Sequence, residues 1–437
     1  MKIGVVGLGY LGLTHSVAMA ALGHEVFGVE IDPVRLGKIA EGKVPFFEPG
    51  LQEGLSQALS SGRYSASNDY ASLANCEVVF LCLGTPQIEG SQKANLSYIQ
   101  EACKALAPIL KRGAVVAGKS TVPIGTAREL QDLIGAGQGG EIALVWNPEF
   151  LREGTALEDS LSPDRIVIGG DNPEAFKVLK QVYKAQLDRG TPIIECDLET
   201  AELVKVAANA FLATKISFIN AMAEVSEKAG ADAVKLAEAI GYDDRIGKKF
   251  LRNGIGFGGG CLPKDIRAFM ARADELGVSD AVSFLSDVDA INRRRRSRVL
   301  EIATDELGGL AGKRILVMGI SFKPDSDDMR DSPSLDIAIN LAAAGADVTV
   351  HDPEALDALG DKHPQLKRES DLAIAAKGMD LLVLGTEWSI YSEIDPKEIG
   401  QLVARKTVID GRNVLDVKRW QSAGWRLIAL GRNVHER

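Results

Sequence analysis

The sequence is poor in the residues that make covalent or metal cross-links, with five cysteines and five histidines in 437 residues. Cys76, Cys82, Cys103, Cys196 and Cys261 form no CxxC pair and no even-numbered framework. That excludes a disulfide scaffold and a structural zinc site, so we expect no metal, and it suits the reducing cytosol. No run of about 18 uninterrupted apolar residues occurs, so no membrane span is expected. Residues 3–22 imitate a signal segment, being apolar after one lysine and containing Ala18-Met19-Ala20, but glycines and His15 interrupt them. Positive charge is in deficit: 50 Lys and Arg against 60 Asp and Glu give a net charge of −10. This argues against nucleic acid or an anionic membrane as the main partner, while leaving room for a local basic pocket. Low-complexity tracts are absent too. With 46% apolar and 25% charged residues the chain reads as ordinary globular protein, of about three domains at roughly 150 residues each.

What is present is an alternation. Short apolar runs at residues 2–6, 25–30, 77–83, 114–118, 142–146 and 165–169 alternate with helical stretches. That pattern signifies βαβ units and a parallel sheet. From residue 199 to about 307 the strand signals vanish and long helical runs replace them. The alternation then returns as an echo of the beginning. Lys2-Ile3-Gly4-Val5-Val6-Gly7 resembles Arg314-Ile315-Leu316-Val317-Met318-Gly319, and Gly23-His24-Glu25-Val26 resembles Gly345-Ala346-Asp347-Val348. The expected fold is α/β, with two doubly wound Rossmann-like domains (residues 1–198 and 301–437) joined by a central all-helical domain (residues 199–300). Two nucleotide-type crevices suggest two nucleotide-bearing ligands.

Gly7-Leu8-Gly9-Tyr10-Leu11-Gly12 is a GxGxxG turn between a strand and a helix. Its glycines permit a tight turn and close approach to a pyrophosphate, with Tyr10 and Leu11 opening the helix. Glu30 ends the next strand, where a carboxylate accepts both ribose hydroxyls and repels a 2′-phosphate. NAD is therefore the expected cofactor; Arg35 nearby leaves NADP open. A second segment runs Gly254-Ile255-Gly256-Phe257-Gly258-Gly259-Gly260-Cys261-Leu262-Pro263-Lys264-Asp265. Its glycines let backbone approach a ligand closely. Cys261 stands where a helix begins, and that terminus together with Lys264 favours a thiolate. The other four cysteines fit strand or helix cores.

This glycine-rich cysteine loop resembles that of the UDP-glucose/GDP-mannose 6-dehydrogenase family. So do Asn147-Pro148-Glu149-Phe150-Leu151-Arg152-Glu153-Gly154 with Pro163-Asp164-Arg165, and residues 201–220. Residues 319–333, Thr386-Glu387-Trp388 and Asp410-Gly411-Arg412-Asn413 extend the likeness over nearly the whole chain. One departure is Gly260, where relatives carry Ser or His, which leaves the sugar open. Pro263-Lys264-Asp265 leans toward the UDP-glucose and GDP-mannose branches.

The resemblance implies two successive oxidations of a sugar C6 alcohol with two NAD per sugar, UDP-glucose to UDP-glucuronate being the leading case. Cys261 would trap the aldehyde as a thiohemiacetal and carry the acid as a thioester. Lys205 and Asn209, four residues apart on a helix, would stabilise the oxyanion. Asp265 and either Glu149 or Glu153 would handle protons and the hydrolytic water, with Thr121 beside it. Cofactor contacts implied are Thr85, Thr121, Glu153, Lys264 and Arg330. Substrate contacts implied are Glu149, Phe150, Leu151, Glu153, Lys205, Asn209, Phe257, Gly258, Phe322, Lys323 and Arg412. Arg245 would reach the site of a neighbouring subunit, making the enzyme a homodimer through the central helices. The run of arginines 293–296 with Arg298 reads as a solvated helix face rather than a nucleic-acid patch. Two rival classes remain. A two-electron dehydrogenase of the hydroxyacid or 6-phosphogluconate type needs no Cys261, and a silent NAD-binding regulator turns over no nucleotide sugar.

Overall fold

Four of the five residues of β1 (Lys2–Val6) are fully buried, as befits an apolar run with neighbours on both sides and helices over both faces. β1 pairs in parallel with β2 (Glu25–Val29) and with Val78–Leu81. In chain order the other strands are β3 (Tyr64–Ser67), β4 (Val78–Leu81), β5 (Val115–Gly118), β6 (Ala143–Trp146), β7 (Ile166–Gly169) and β8 (Ile193–Cys196). They form one eight-stranded sheet, β3-β2-β1-β4-β5-β6-β7-β8. The computed structural model describes residues 1–135 and 142–433.

One feature departs from the parallel sheet expected. β7 meets β6 antiparallel, through Trp146 and Gly169, and β8 runs parallel to β7. After β6 the chain makes a loop and one short helix, Ala156–Leu161. It re-enters the sheet at the end it left, so the Asn147-to-Thr155 loop stays at the carboxyl ends of the parallel strands. Crevices at those ends are where doubly wound sheets bind ligands.

The second sheet comprises β9 (Arg314–Met318), β10 (Asp347–His351), β11 (Lys367–Arg368), β12 (Leu381–Leu384), β13 (Thr407–Asp410) and β14 (Arg426–Ala429). Its order, β11-β10-β9-β12-β13-β14, repeats that of β3-β2-β1-β4-β5-β6, so the internal echo in the sequence is an echo of topology. The likeness extends to single bonds. The Gly7 amide donates to Val29 O at 2.8 Å and the Gly319 amide to His351 O at 2.7 Å, and both glycines have φ of +86°.

The chain divides into two compact units, Met1–Ala208 with Arg267–Ser279, and Asn209–Ile266 with Asp280–Arg437. Each holds one sheet between two hydrophobic clusters. Between β8 and β9 there is no strand; helices Leu198–Ala229, Ala233–Ile240, Leu262–Glu275 and Phe284–Leu307 fill the interval. Leu198–Ala229 contains an 18-residue stretch of mean hydropathy 1.3 and is, by length and composition, apolar enough to cross a bilayer. A search for uninterrupted apolar runs misses it because polar residues interrupt it. Those residues are bonded into the protein: Ser217 Oγ donates to Val288 O at 2.7 Å, and Asn220 Oδ1 accepts the Gly254 amide at 2.9 Å.

The arginine run is only in part the solvated face expected: Arg293 and Arg294 are exposed, paired at the surface with Asp289 at 2.7 Å and Glu224 at 3.3 Å, but Arg295 and Arg296 turn inward. Arg295 is fully buried, donating to Gly254 O at 3.1 Å and pairing with Glu227 at 3.2 Å. Arg296 pairs with Asp331 at 2.8 Å. Carboxylates and carbonyls brought in from distant sequence hold these two cations, leaving Arg295 Nη1 and Arg296 Nε without a hydrogen bond among the described residues; a count of neighbouring charges along the helix does not reveal this.

Candidate active site

In the first unit the glycine turn shapes an anion cradle. A Cβ on Gly12 would lie 1.7 Å from Gly7 O, so only glycine lets the turn close, whereas a Cβ on Gly9 would meet nothing within 4 Å. That open side faces the start of helix Tyr10–Ala21, which has no side-chain cap and no acidic residue in its first turn. Its amides and dipole suit a pyrophosphate. Tyr10 is hydrogen-bonded to Glu48, which the sequence reading missed. Glu48 is buried and also accepts the Gly154 and Ala156 amides, each at 2.7 Å. It ties the glycine turn to the loop after β6.

Glu30 is 4% exposed at the end of β2 and accepts the amides of Leu8 at 2.9 Å and Asp32 at 3.0 Å. Arg35 pairs with it at 2.9 Å and with Asp32 at 3.8 Å, so the guanidinium that left NADP open is engaged by carboxylates. Replacing Glu30 by alanine should remove charge-assisted bonds to ribose. The expected loss is about 2–3 kcal/mol, on the order of a hundredfold in Kd for NAD. Calorimetric titration of NAD checks this; unchanged affinity would place the ribose elsewhere.

Thr85 Oγ1 donates to Thr121 O at 2.7 Å, bringing these two together. Beside them Glu202 accepts the amides of Gly125 and Ala127, each at 2.6 Å; burial raises its pKa to about 7. Glu149 and Glu153 both lie in the loop before helix Ala156–Leu161 and do not share a helical face. Glu149 pairs with Lys205 at 2.8 Å and accepts the Leu151 amide at 2.5 Å. The side chains of that pair are only 12% and 6% exposed, so Lys205 does not reach out to solvent. Phe150 lies under Arg165, 3.7 Å from its guanidinium carbon to the ring centroid, with the Lys205 ammonium at 5.7 Å.

In the second unit Cys261 is the one exposed cysteine of the five. Its carbonyl accepts the Asp265 amide at 2.9 Å, so it stands directly ahead of helix Leu262–Glu275. Asp265, 1% exposed, accepts from Asn209 Nδ2 at 2.6 Å and pairs with Lys264 at 2.6 Å. Cys76, Cys82 and Cys103 differ sharply: burial pushes each thiol up to about 12.

The glycines before Cys261 also make room for neighbouring protein, which the sequence does not show. A Cβ on Gly256 would lie 2.4 Å from Asn292 Oδ1, on Gly258 2.3 Å from Asp331 O, and on Gly259 2.8 Å from Phe322. On Gly260 it would lie 2.4 Å from the Arg330 guanidinium carbon, the end of a 65% exposed side chain that can move aside, so this position does not require glycine. At Gly256, Gly258 and Gly259 the room is taken by protein, so these glycines let the loop seat against Asn292, Asp331 and Phe322. Asn292 clamps Phe257 at both ends, accepting its amide at 2.7 Å and donating to its carbonyl at 2.9 Å. Arg412 is a strut: it donates to Gly385 O, Gly256 O and Phe322 O at 2.7, 3.1 and 3.2 Å, and pairs with Glu387. The Lys323 ammonium lies 5.7 Å from the Phe322 ring centroid. Arg245 is exposed, its guanidinium paired with Asp243 at 2.6 Å.

A doubly wound sheet with an open glycine cradle and a buried ribose-side carboxylate, in a chain with a cysteine loop braced against a second such sheet, defines a dinucleotide-dependent dehydrogenase. The chain belongs to the UDP-glucose/GDP-mannose dehydrogenase family. It matches that family's NAD binding domain over residues 1–187, its central domain over 199–294 and its UDP binding domain over 316–417. It is 38% identical to a UDP-glucose 6-dehydrogenase of Rhizobium meliloti, covering 99% of this chain and all of that protein. It is 37% identical to one of Bacillus subtilis, covering 99% and 98%. A solved UDP-glucose dehydrogenase from Pyrobaculum islandicum superposes with a TM-score of 0.88 at 35% identity, covering 99% of this chain and 97% of that one. NAD is the cofactor, and a nucleotide sugar is the substrate.

Proposed function

We propose that this protein oxidises the C6 alcohol of UDP-glucose twice, to UDP-glucuronate, through covalent intermediates on Cys261. The substrate is that of the relatives by name. Within the chain one observation carries the reading: the exposed Cys261 stands directly ahead of a helix whose first turn holds Asp265, bonded to Asn209. NAD, when bound, would supply the hydride acceptor for both oxidations. Gly7, Gly9, Tyr10, Leu11 and Gly12 would hold its pyrophosphate and Glu30 a ribose. Thr85, Thr121, Glu153, Lys264 and Arg330 serve the remainder.

The chain's own groups do the rest. A base takes the hydroxyl proton, through water, as the first hydride leaves. The Cys261 sulfur then adds to the aldehyde carbon, and Lys205 and Asn209 stabilise the oxygen of the thiohemiacetal. Loss of the second hydride leaves a thioester. Water, oriented by Asp265 and by Glu149 or Glu153, displaces the sulfur as a thiolate and gives the carboxylate. Phe150, Leu151, Phe257, Gly258, Phe322, Lys323 and Arg412 shape the nucleotide-sugar site. The test is a panel of UDP-glucose, UDP-galactose, GDP-mannose and UDP-N-acetyl sugars, read by NADH absorbance and product mass. UDP-glucose should give UDP-glucuronate; turnover of another sugar with none of UDP-glucose contradicts the reading.

Residues 199–300 serve as the dimerisation segment. Phe211, Phe218 and Val225 recur every seven residues on helix Leu198–Ala229 and are 67%, 49% and 58% exposed. Such an apolar stripe suits a second copy of the same helix, and Arg245 is offered to that copy's site. Phe218→Asp should yield a monomer by light scattering; an unchanged mass contradicts this interface. The reducing cytosol suits a working thiol at Cys261.

A further inference from the structure

Behind the Asn147-Pro148-Glu149 turn the first unit buries a lysine that the scheme above does not use. Lys119 follows β5 and is 7% exposed. Its ammonium lies 3.0 Å from Asn147 Oδ1 and 3.3 Å from the Tyr183 hydroxyl. It also lies over the Phe80 and Tyr183 rings, at 5.6 and 5.9 Å from their centroids. These partners are all neutral, an unusual setting for a buried cation. The Asn147 amide cannot turn away, because its Nδ2 donates to Val167 O at 2.8 Å while Tyr183 donates to its Oδ1 at 2.5 Å.

Lys119 and Glu149 line one cavity of about 50 Å³, with His15 in the same wall. Glu149 in turn pairs with Lys205 at 2.8 Å. The unit thus buries a cluster of two lysines and one glutamate, in which Lys119 has no carboxylate of its own among the described residues. Burial pushes Lys119 down to about 8; Cys82 and Glu149 oppose the shift and Lys205 adds to it. His15 also faces this group, and burial holds its imidazole well below its ordinary range. The buried Tyr183 hydroxyl is pushed up, and Cys82 is pushed up to about 12, so neither carries charge near neutral pH. Asp159, Asp164 and Arg165 line the cavity too; Asp159 is bonded to Arg152 at 3.0 Å.

We propose that Lys119 is a positioning residue for Lys205: it holds Asn147 ahead of Glu149, and its charge makes Lys205 readier to release a proton. Two cations beside one carboxylate depress each other's proton affinity. The inference rests on the reading of Lys205 as the group at the sugar oxygen.

Competitive acetylation of the ligand-free full chain across neutral to alkaline pH, read by peptide mass spectrometry, gives the midpoint for Lys205 directly. In Lys119→Met and Lys119→Gln the midpoint should rise by on the order of one pH unit. Lys119→Arg should restore it, and Tyr183→Phe should leave it in place. A folded uncharged variant with an unmoved midpoint overturns the inference, as does an equal rise in Tyr183→Phe, which would assign the effect to packing. Should both uncharged variants fail to fold, the wild-type curve decides. Coupled lysines give a broadened Lys205 titration, and a single independent step overturns the proposal. Turnover that survives Lys205→Met would defeat the role given to Lys205 while leaving the labelling result standing.

Discussion

Cys261→Ser should stop acid formation while NAD and the nucleotide sugar still bind. The loss should be at least roughly 10³-fold, since the nucleophile itself is removed. The hydroxyl is close in size and the segment is held by contacts that do not involve the sulfur: the Asn292 clamp, the Arg412 strut and the Gly259 amide, which donates to Arg330 O at 2.8 Å. Binding geometry should therefore survive. What is lost is a sulfur nucleophile; an alcohol without an adjacent base is a far weaker one. Quenched-flow product analysis and calorimetric binding together check this. Normal uronate output would remove the covalent route, and lost binding would show that the substitution had disturbed the loop instead.

Lys205→Met should lower kcat by about 10²–10³, about 2.7–4 kcal/mol of transition-state stabilisation, as expected when a charge aimed at a developing oxyanion is withdrawn. It should also lower stability, because it strands Glu149, whose side chain is 12% exposed. Breaking one side of a buried pair costs about 3–5 kcal/mol. The two effects separate in the double variant Lys205→Met with Glu149→Gln. Thermal unfolding should recover toward wild type, since a neutral amide replaces the stranded carboxylate, whereas turnover should not. Recovery of both would make Lys205 a structural residue only.

Much of this site is legible in the sequence where chemistry is local. The glycine turn and Glu30 lie within one βαβ unit, and the helix after Cys261 begins where Pro263 and Asp265 place it. The repeat of β1, β2 and β4 in β9, β10 and β12 can be read because buried strands keep their apolar runs. What escaped depends on pairing across long separations. Glu48 reaches the loop after β6 from 106 residues away, at the Gly154 amide, and Asn209 meets Asp265 from 56 residues away. Lys119 looks like any polar residue closing a strand; its burial is set by Asn147 and Tyr183, contributed by later segments. Arg295 and Arg296 misled for the same reason, since Glu227 and Asp331 pair with them from elsewhere in the chain. The glycines ahead of Cys261 were recognised as special, yet their use could not be read. The same absence of Cβ serves a ligand or a neighbouring loop, and here Asn292, Asp331 and Phe322 stand against Gly256, Gly258 and Gly259.

The most direct test of four-electron chemistry is stoichiometric: a limiting amount of UDP-glucose is converted to completion with excess NAD, and the NADH formed is counted against sugar consumed. The account requires two NADH for every sugar, with UDP-glucuronate as the product. One NADH for every sugar, with a free aldehyde in solution, would contradict it.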